Sequence, residues 1–168
     1  MSRHDAEYVE FVTAYQSRLR RIAYAVCRDA DRAEDVLQEA FVKLYLSWSR
    51  VRQRGDEEAY ARRIIVNADI DDRRRPWRRH RSAATDDQLA QIAAPARLPV
   101  EERSALLEAV RALPPMQRRT VVLRHLVGLT VEETAAELDI GEGTVKSHTS
   151  RALEALRESL GEPLTLNG

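Results

Sequence analysis

The sequence of 168 residues has little of what marks several classes of protein. It contains one cysteine, Cys27, six glycines, six prolines and 5% aromatic residues, which excludes a disulfide-stabilised or collagen-like chain. No apolar run approaches the roughly 20 residues that a membrane-spanning helix needs. The first seven residues lack the apolar segment of a signal peptide. We therefore expect no membrane association and a cytoplasmic location.

The chain also has no net charge, since it contains 27 basic and 27 acidic side chains. Taken alone, this balance disfavours a nucleic-acid partner. The charge is unevenly distributed, however, with a net +3 in residues 1–80 and a net −3 in residues 99–168. Residues 62–81 hold eight arginines against three aspartates. Such a cluster is often only solvated, but it is also what a surface following a nucleic-acid backbone requires.

Apolar residues recur every three or four positions along most of the chain, which predicts helices. A capping box from Asp31 to Glu34 predicts one helix start, and polar residues 50–56 predict a loop. A further helix is expected from Asp56 to the residues before Pro76. We predict an all-α fold of two small helical domains, residues 1–80 and 99–168, joined by a flexible linker over residues 81–98.

Residues 130–160 predict a helix-turn-helix. Thr130 is expected to cap a short helix, a turn with Gly141 and Gly143 at positive φ to follow, and Thr144 to cap a longer helix. The polar residues early in that second helix fall outside its apolar stripe, so they can meet base edges and phosphates. An ordinary helical hairpin with a solvated face is the alternative. The candidate DNA-contacting residues are Lys146, Ser147, Ser150 and Arg151.

A second candidate surface lies in residues 31–45. There Asp35, Gln38, Glu39 and Val42 recur at helical spacing beside the apolar stripe. A polar, acidic face with an apolar edge suits docking onto a basic helical partner, although a solvated helix face has the same pattern.

Residues 143–153 resemble two families, the output domain of LuxR-type response regulators and the fourth conserved region of bacterial sigma factors. Residues 31–45 and 60–75 closely resemble the second conserved region of sigma factors of the extracytoplasmic-function class. The resemblance implies two sets of contacts. The residues implied in polymerase binding are Asp35, Gln38, Glu39 and Phe41, and those implied in −10 element binding are Asn67, Asp71, Arg74 and Arg75.

The resemblance implies an alternative sigma factor rather than an enzyme. Such a protein binds core RNA polymerase and directs initiation at promoters through their −35 and −10 elements. It needs no cofactor, metal or catalytic residue, and an anti-sigma partner is a hypothesis that the resemblance raises. Two rivals stay open at this point, a dimeric response-regulator transcription factor and a helical adaptor that binds polymerase but not DNA.

Overall fold

The computed structural model describes residues 1–27, 29–72 and 99–161, with the backbone alone for residues 69–72. The predicted linker, residues 81–98, lies outside this part of the chain. The described residues form eight α-helices and one π-helical segment, without strands. The helices are α1 (Arg3–Val26), α2 (Ala30–Leu46), α3 (Trp48–Arg54), α4 (Glu57–Asp72), α5 (Val100–Ala112), α6 (Pro115–Val121), α7 (Val131–Leu138) and α8 (Glu142–Leu160), and the π-helical segment (Val122–Val127) directly follows α6. The all-α prediction is confirmed.

Helices α1 to α4 form an N-terminal lobe in which α1, α2 and α4 pack against one another. Their apolar stripes meet around Leu19, Leu37, Leu44 and Ile65, all of which are at most 1% exposed. The predicted cap of α2 is wrong by two residues. Asp29, rather than Asp31, is the N-cap, and its carboxylate accepts a hydrogen bond from the Arg32 backbone amide at 2.8 Å.

The predicted loop over residues 50–56 is a short helix for most of its length. Helix α3 buries Trp48 and Val51 against the lobe, and this tertiary packing outweighs the polar composition that predicted a loop. Gly55 ends the helix with φ at 69°, the left-handed conformation that glycine adopts without steric cost. Arg52 then bridges the turn, since its Nη1 lies 2.9 Å from Oε1 of Glu57.

Helices α5 to α8 form a C-terminal lobe, in which α8 packs against α5, α6 and α7. The π-helical segment ends at Gly128, with φ at 87°. The predicted cap of α7 is confirmed: Thr130 Oγ1 accepts from the Glu133 amide at 3.1 Å, and Glu133 Oε2 accepts from the Thr130 amide at 2.8 Å. This capping box fixes the first helix of the helix-turn-helix.

The two lobes pack together in this structure. The C-terminal part of α1 lies against α5, α6 and the π-helical segment, and buried apolar residues of both lobes belong to one continuous cluster. Arg118 crosses the boundary from α6, with Nη1 donating to the Val26 carbonyl at 2.9 Å and Nη2 to the Leu113 carbonyl at 3.0 Å. The two polar surfaces considered next are therefore held on one body.

Candidate nucleic-acid interface

Helix α8 presents a polar first half to solvent. Val145, Ala152 and Leu156 are buried on its inner side, and this stripe fixes how the helix sits on the lobe. The outward positions include all four residues that the sequence analysis predicts to contact DNA. Exposed on this face are Lys146, Ser147, Ser150 and Arg151. Two cations and two hydroxyl groups on one helix face can bind phosphates and base edges in a major groove.

The turn before α8 is built differently from the prediction. Asp139, not a glycine, takes the left-handed conformation, with φ at 54°. Aspartate tolerates this conformation better than most residues. Gly141 is the N-cap of α8, so the prediction that Thr144 caps this helix is wrong, and Thr144 lies in its first turn. A Cβ atom added at Gly143 would meet no atom within 4 Å, so the space beside the helix start is open.

A second polar site lies in the N-terminal lobe, between α2 and α4. It is an open pocket of about 480 Å³. Asn67 lies on its wall, with Nδ2 donating to the Arg63 carbonyl at 2.9 Å. A side-chain amide has a second N–H and a carbonyl oxygen, so Asn67 can still bind the edge of a base. The pocket is lined by Arg32, Glu39, Lys43, Tyr60, Arg63, Ile64, Asn67 and Ala68.

The charged groups of this pocket come from both helices. Lys43 Nζ lies 2.7 Å from Glu39 Oε1, and Arg32 Nη2 donates to the Ala68 carbonyl at 3.1 Å. Tyr60 offers a ring, and its hydroxyl donates to Ser47 Oγ at 3.1 Å. Cations, an aromatic face and an amide in a concave site are the groups that hold a single-stranded nucleotide. The sequence analysis did not assign Arg32 or Lys43 to this site. Arg32 lies seven residues before Glu39 and Lys43 four residues after it, and this helical spacing could have indicated that all three share one face.

Three residues predicted to bind the −10 element cannot be placed in this site. Asp71 lies in the last turn of α4, where only the backbone is described. Arg74 and Arg75 lie outside the described residues. Asn67 is thus the one member of the predicted set whose side chain the described part of the chain places at the pocket.

The residues predicted to bind polymerase do not all share one face of α2. Gln38 and Glu39 are exposed and Asp35 is half-buried, but Glu39 lies in the pocket with Lys43 and Asn67. Phe41 is half-buried and packs against the core. Its backbone carbonyl accepts a hydrogen bond from the Tyr8 hydroxyl at 2.8 Å. We treat its ring as partly structural.

An apolar patch continues from these residues toward the end of α2. Val42 is 59% exposed, Tyr45 42% and Leu46 78%. The Tyr45 hydroxyl donates to Asp5 Oδ1 at 2.8 Å, and this bond raises the pKa of Tyr45 above its ordinary value. Large apolar side chains exposed side by side indicate a protein-contact surface. Neither Tyr45 nor Leu46 is among the residues that the sequence analysis predicts to bind polymerase.

The described ranges contain no cluster of three or more His, Cys, Asp or Glu side chains that could hold a metal ion. In the same ranges, no helix combines the length and the apolar character needed to cross a membrane.

Comparison with known proteins matches both halves of the chain to described families. Residues 11–79 match "Sigma-70 region 2", and residues 103–156 match "Sigma-70, region 4". The RNA polymerase sigma-E factor of Streptomyces avermitilis is 36% identical over 165 residues, covering 92% of this chain and 85% of the relative. The ECF RNA polymerase sigma factor SigM of Mycobacterium tuberculosis H37Rv is 32% identical over 154 residues, covering 88% and 74%.

Among solved structures, a similar fold occurs in the sigma factor RpoE of Bartonella quintana, crystallised with the anti-sigma factor NepR. The TM-score is 0.72, and the match covers 92% of this chain and 96% of that one. At 23% sequence identity, this similarity concerns the fold alone.

Proposed function

The chain belongs to the sigma-70 family, in the extracytoplasmic-function group of RNA polymerase sigma factors. From this membership and the two polar surfaces, we propose how the protein recognises promoters. The protein binds core RNA polymerase and directs initiation at promoters that carry its −35 and −10 elements. Helix α8 reads the −35 element in the major groove. The α2–α4 pocket holds a base of the −10 element after the strands separate.

The assignment of α8 rests on the difference between its two faces, one apolar and buried, the other polar and exposed. Its buried stripe fixes the helix on the lobe, and Lys146, Ser147, Ser150 and Arg151 are exposed together near its start. Hydrogen bonds to base edges from such a helix give sequence specificity, and cations near its ends add affinity through phosphates.

For the pocket, the supporting observation is its combination of groups. Asn67 can bind a base edge, Tyr60 can stack, and Lys43 and Arg63 can attract phosphates. An extruded base needs such a site, because unpairing costs a few kcal/mol that contacts within a pocket must offset. We also propose that Arg74 and Arg75, which lie outside the described residues, contact the −10 element.

The polymerase-binding surface in this proposal is the outer face of α2. It joins Asp35 and Gln38 to the apolar patch of Val42, Tyr45 and Leu46. A mixed apolar and acidic surface favours a partner with basic rims around apolar grooves. We place the protein in the cytoplasm, where polymerase and chromosome meet it, and we assign it no catalytic step of its own. An anti-sigma protein, such as the one that the RpoE relative binds, is a further candidate partner.

Run-off transcription with purified core RNA polymerase and fragments of the host genome tests this function. Wild-type protein should give transcripts that core enzyme alone does not. The double change Lys146→Ala and Arg151→Ala should abolish them at most promoters, because each good contact to a base is worth about 1–3 kcal/mol. Arg157→Ala, an exposed cation in the last turn of the same helix, is the matched control and should keep most activity.

The same assay separates the two surfaces. The Asn67→Ala variant should transcribe duplex promoters more slowly than wild type. Its transcription rate should recover on templates that are already unpaired at the −10 element. If the double variant transcribed as well as wild type, a helical adaptor without DNA contacts would replace our assignment of α8.

A further inference from the structure

The first turns of α1 hold one residue of the apolar patch on α2. Tyr45 is 42% exposed, yet its hydroxyl donates to Asp5 Oδ1 at 2.8 Å. Two rings of α1 also meet the Tyr45 ring nearly at right angles, the Tyr8 ring at a centroid distance of 5.0 Å and the His4 ring at 5.5 Å. Exposed side chains ordinarily change rotamer within nanoseconds. Tyr45 is instead held at both its hydroxyl and its ring.

The carboxylate that accepts this hydrogen bond is itself fixed by the cap of α1. Asp5 Oδ2 accepts from the Ser2 backbone amide at 2.9 Å, and Ser2 Oγ accepts from the Asp5 amide at 3.1 Å. The bonds from Ser2, and after them the bond from Tyr45, hold the pKa of Asp5 below its ordinary value. The carboxylate is therefore charged at neutral pH, and a hydrogen bond to a charged acceptor is stronger than one between neutral groups.

An aromatic side chain that is already ordered favours binding. A partner that covers a mobile side chain must immobilise it, and this loss of freedom lowers affinity. Tyrosine is frequent among the residues that contribute most to protein–protein affinity. Its neighbours in the patch, Val42 and Leu46, are exposed aliphatic residues. The capping box of α1 thus fixes the aromatic member of the patch before any partner arrives.

From these contacts we propose that Asp5 is a positioning residue for polymerase binding, because its carboxylate fixes the Tyr45 ring in the orientation that core polymerase contacts. The inference rests on the proposed function, which assigns the outer face of α2 to polymerase. Asp5 acts through Tyr45 and needs no contact with polymerase of its own. The surface that α2 presents therefore depends on a helix cap 40 residues earlier in the chain.

Isothermal titration calorimetry of the full-length protein with purified core RNA polymerase tests this role. Asp5→Ala removes the acceptor for Tyr45 together with part of the cap. We expect it to weaken binding by about three- to tenfold, since Tyr45 must then be ordered on binding. Ser2→Ala is the matched control. It also weakens the cap of α1, but it keeps the backbone amide that donates to Asp5 Oδ2, and it should bind within about twofold of wild type.

A double-mutant cycle separates positioning from a structural effect on α1. Tyr45→Phe keeps the ring and removes the hydroxyl, and it should weaken binding about as much as Asp5→Ala does. Adding Asp5→Ala to Tyr45→Phe should then cost less than about twofold, because the hydrogen bond is already lost. Circular dichroism verifies that each variant is folded. If Asp5→Ala fails to fold, Tyr45→Phe compared with Ser2→Ala carries the test.

The outcomes distinguish this inference from the proposed surface. Equal losses of affinity in Asp5→Ala and Ser2→Ala, or a full additional loss in the double variant, overturn the positioning role. Tyr45→Ala removes the ring, and wild-type affinity in that variant would refute the assignment of the outer face of α2 to polymerase. Weakened binding in Tyr45→Ala with wild-type affinity in Asp5→Ala would refute the positioning role and leave the proposed surface standing.

Discussion

At the scale of single residues, Arg118 shows how one buried cation can join two lobes. It is 2% exposed, and its guanidinium donates to backbone carbonyls at the end of α1 and the end of α5. Helix ends leave carbonyls without partners inside the helix. A side chain with five donors in a fixed plane can satisfy two such groups from different segments.

We predict that Arg118→Met destabilises the protein by about 2–5 kcal/mol, since each buried carbonyl left without a partner costs about 1–3 kcal/mol. Methionine preserves much of the side-chain volume, so the loss reports hydrogen bonding more than packing. Urea denaturation followed by circular dichroism measures the change. Arg157→Met, at an exposed position, is the control and should stay within about 0.5 kcal/mol of wild type. Equal stability of the two variants would contradict the role of Arg118.

At the scale of elements, the glycines of the C-terminal lobe differ in what they contribute. Gly128 ends the π-helical segment at φ 87°, where a side chain is strained. Gly143 lies within the first turn of α8 and has open space beside it. The first glycine is therefore required by backbone conformation, and the second is not.

Matched alanine substitutions should have opposite effects on stability. Gly128→Ala should lower the free energy of unfolding by about 1–2 kcal/mol, the cost of a left-handed residue with a Cβ. Gly143→Ala should raise it by about 0.4–1 kcal/mol, because alanine restricts the unfolded chain. Thermal or urea denaturation of both variants measures this contrast. A loss of stability in Gly143→Ala would show that the start of α8 is less open than the structure has it.

The same elements show which features of the fold could be predicted from the sequence. Periodic apolar residues predicted the buried stripes of α1, α2 and α8, because a stripe is a local property of the sequence. The capping of α7 by Thr130 was predictable for the same reason. The capping of α2 by Asp29, helix α3 and the left-handed Asp139 were not, because packing decided among local alternatives. The ion pair between Arg62 on α4 and Glu137 on α7 was not predictable either, since the two residues lie 75 positions apart in the sequence.

At the scale of the whole molecule, the continuous apolar cluster implies that the lobes stabilise each other. The cluster includes Leu44 from α2 and Leu156 from α8. Removing a large buried side chain costs about 2–5 kcal/mol. Where two lobes share a core, this cost appears in the unfolding of both.

We therefore predict a single unfolding transition. Trp48 is buried in the N-terminal lobe, so its fluorescence, measured in a Trp77→Phe background that removes the second tryptophan, reports on that lobe. Leu156→Ala, in the other lobe, should lower the urea midpoint measured by fluorescence as much as the midpoint measured by circular dichroism. Coincident midpoints are the mark of two-state unfolding. Two separate transitions, with the fluorescence midpoint unchanged, would show that the lobes unfold independently.

The one cysteine of the chain provides a chemical probe of the boundary between the lobes. Cys27 caps the end of α1, is fully buried and directly follows Val26, whose carbonyl Arg118 binds. A buried thiol reacts with alkylating reagents only when the surrounding structure opens. The rate at which the thiol is alkylated thus measures how often the lobe boundary opens, and no engineered label is needed. Polymerase, promoter DNA and inhibitors can each be ranked by how they change that rate.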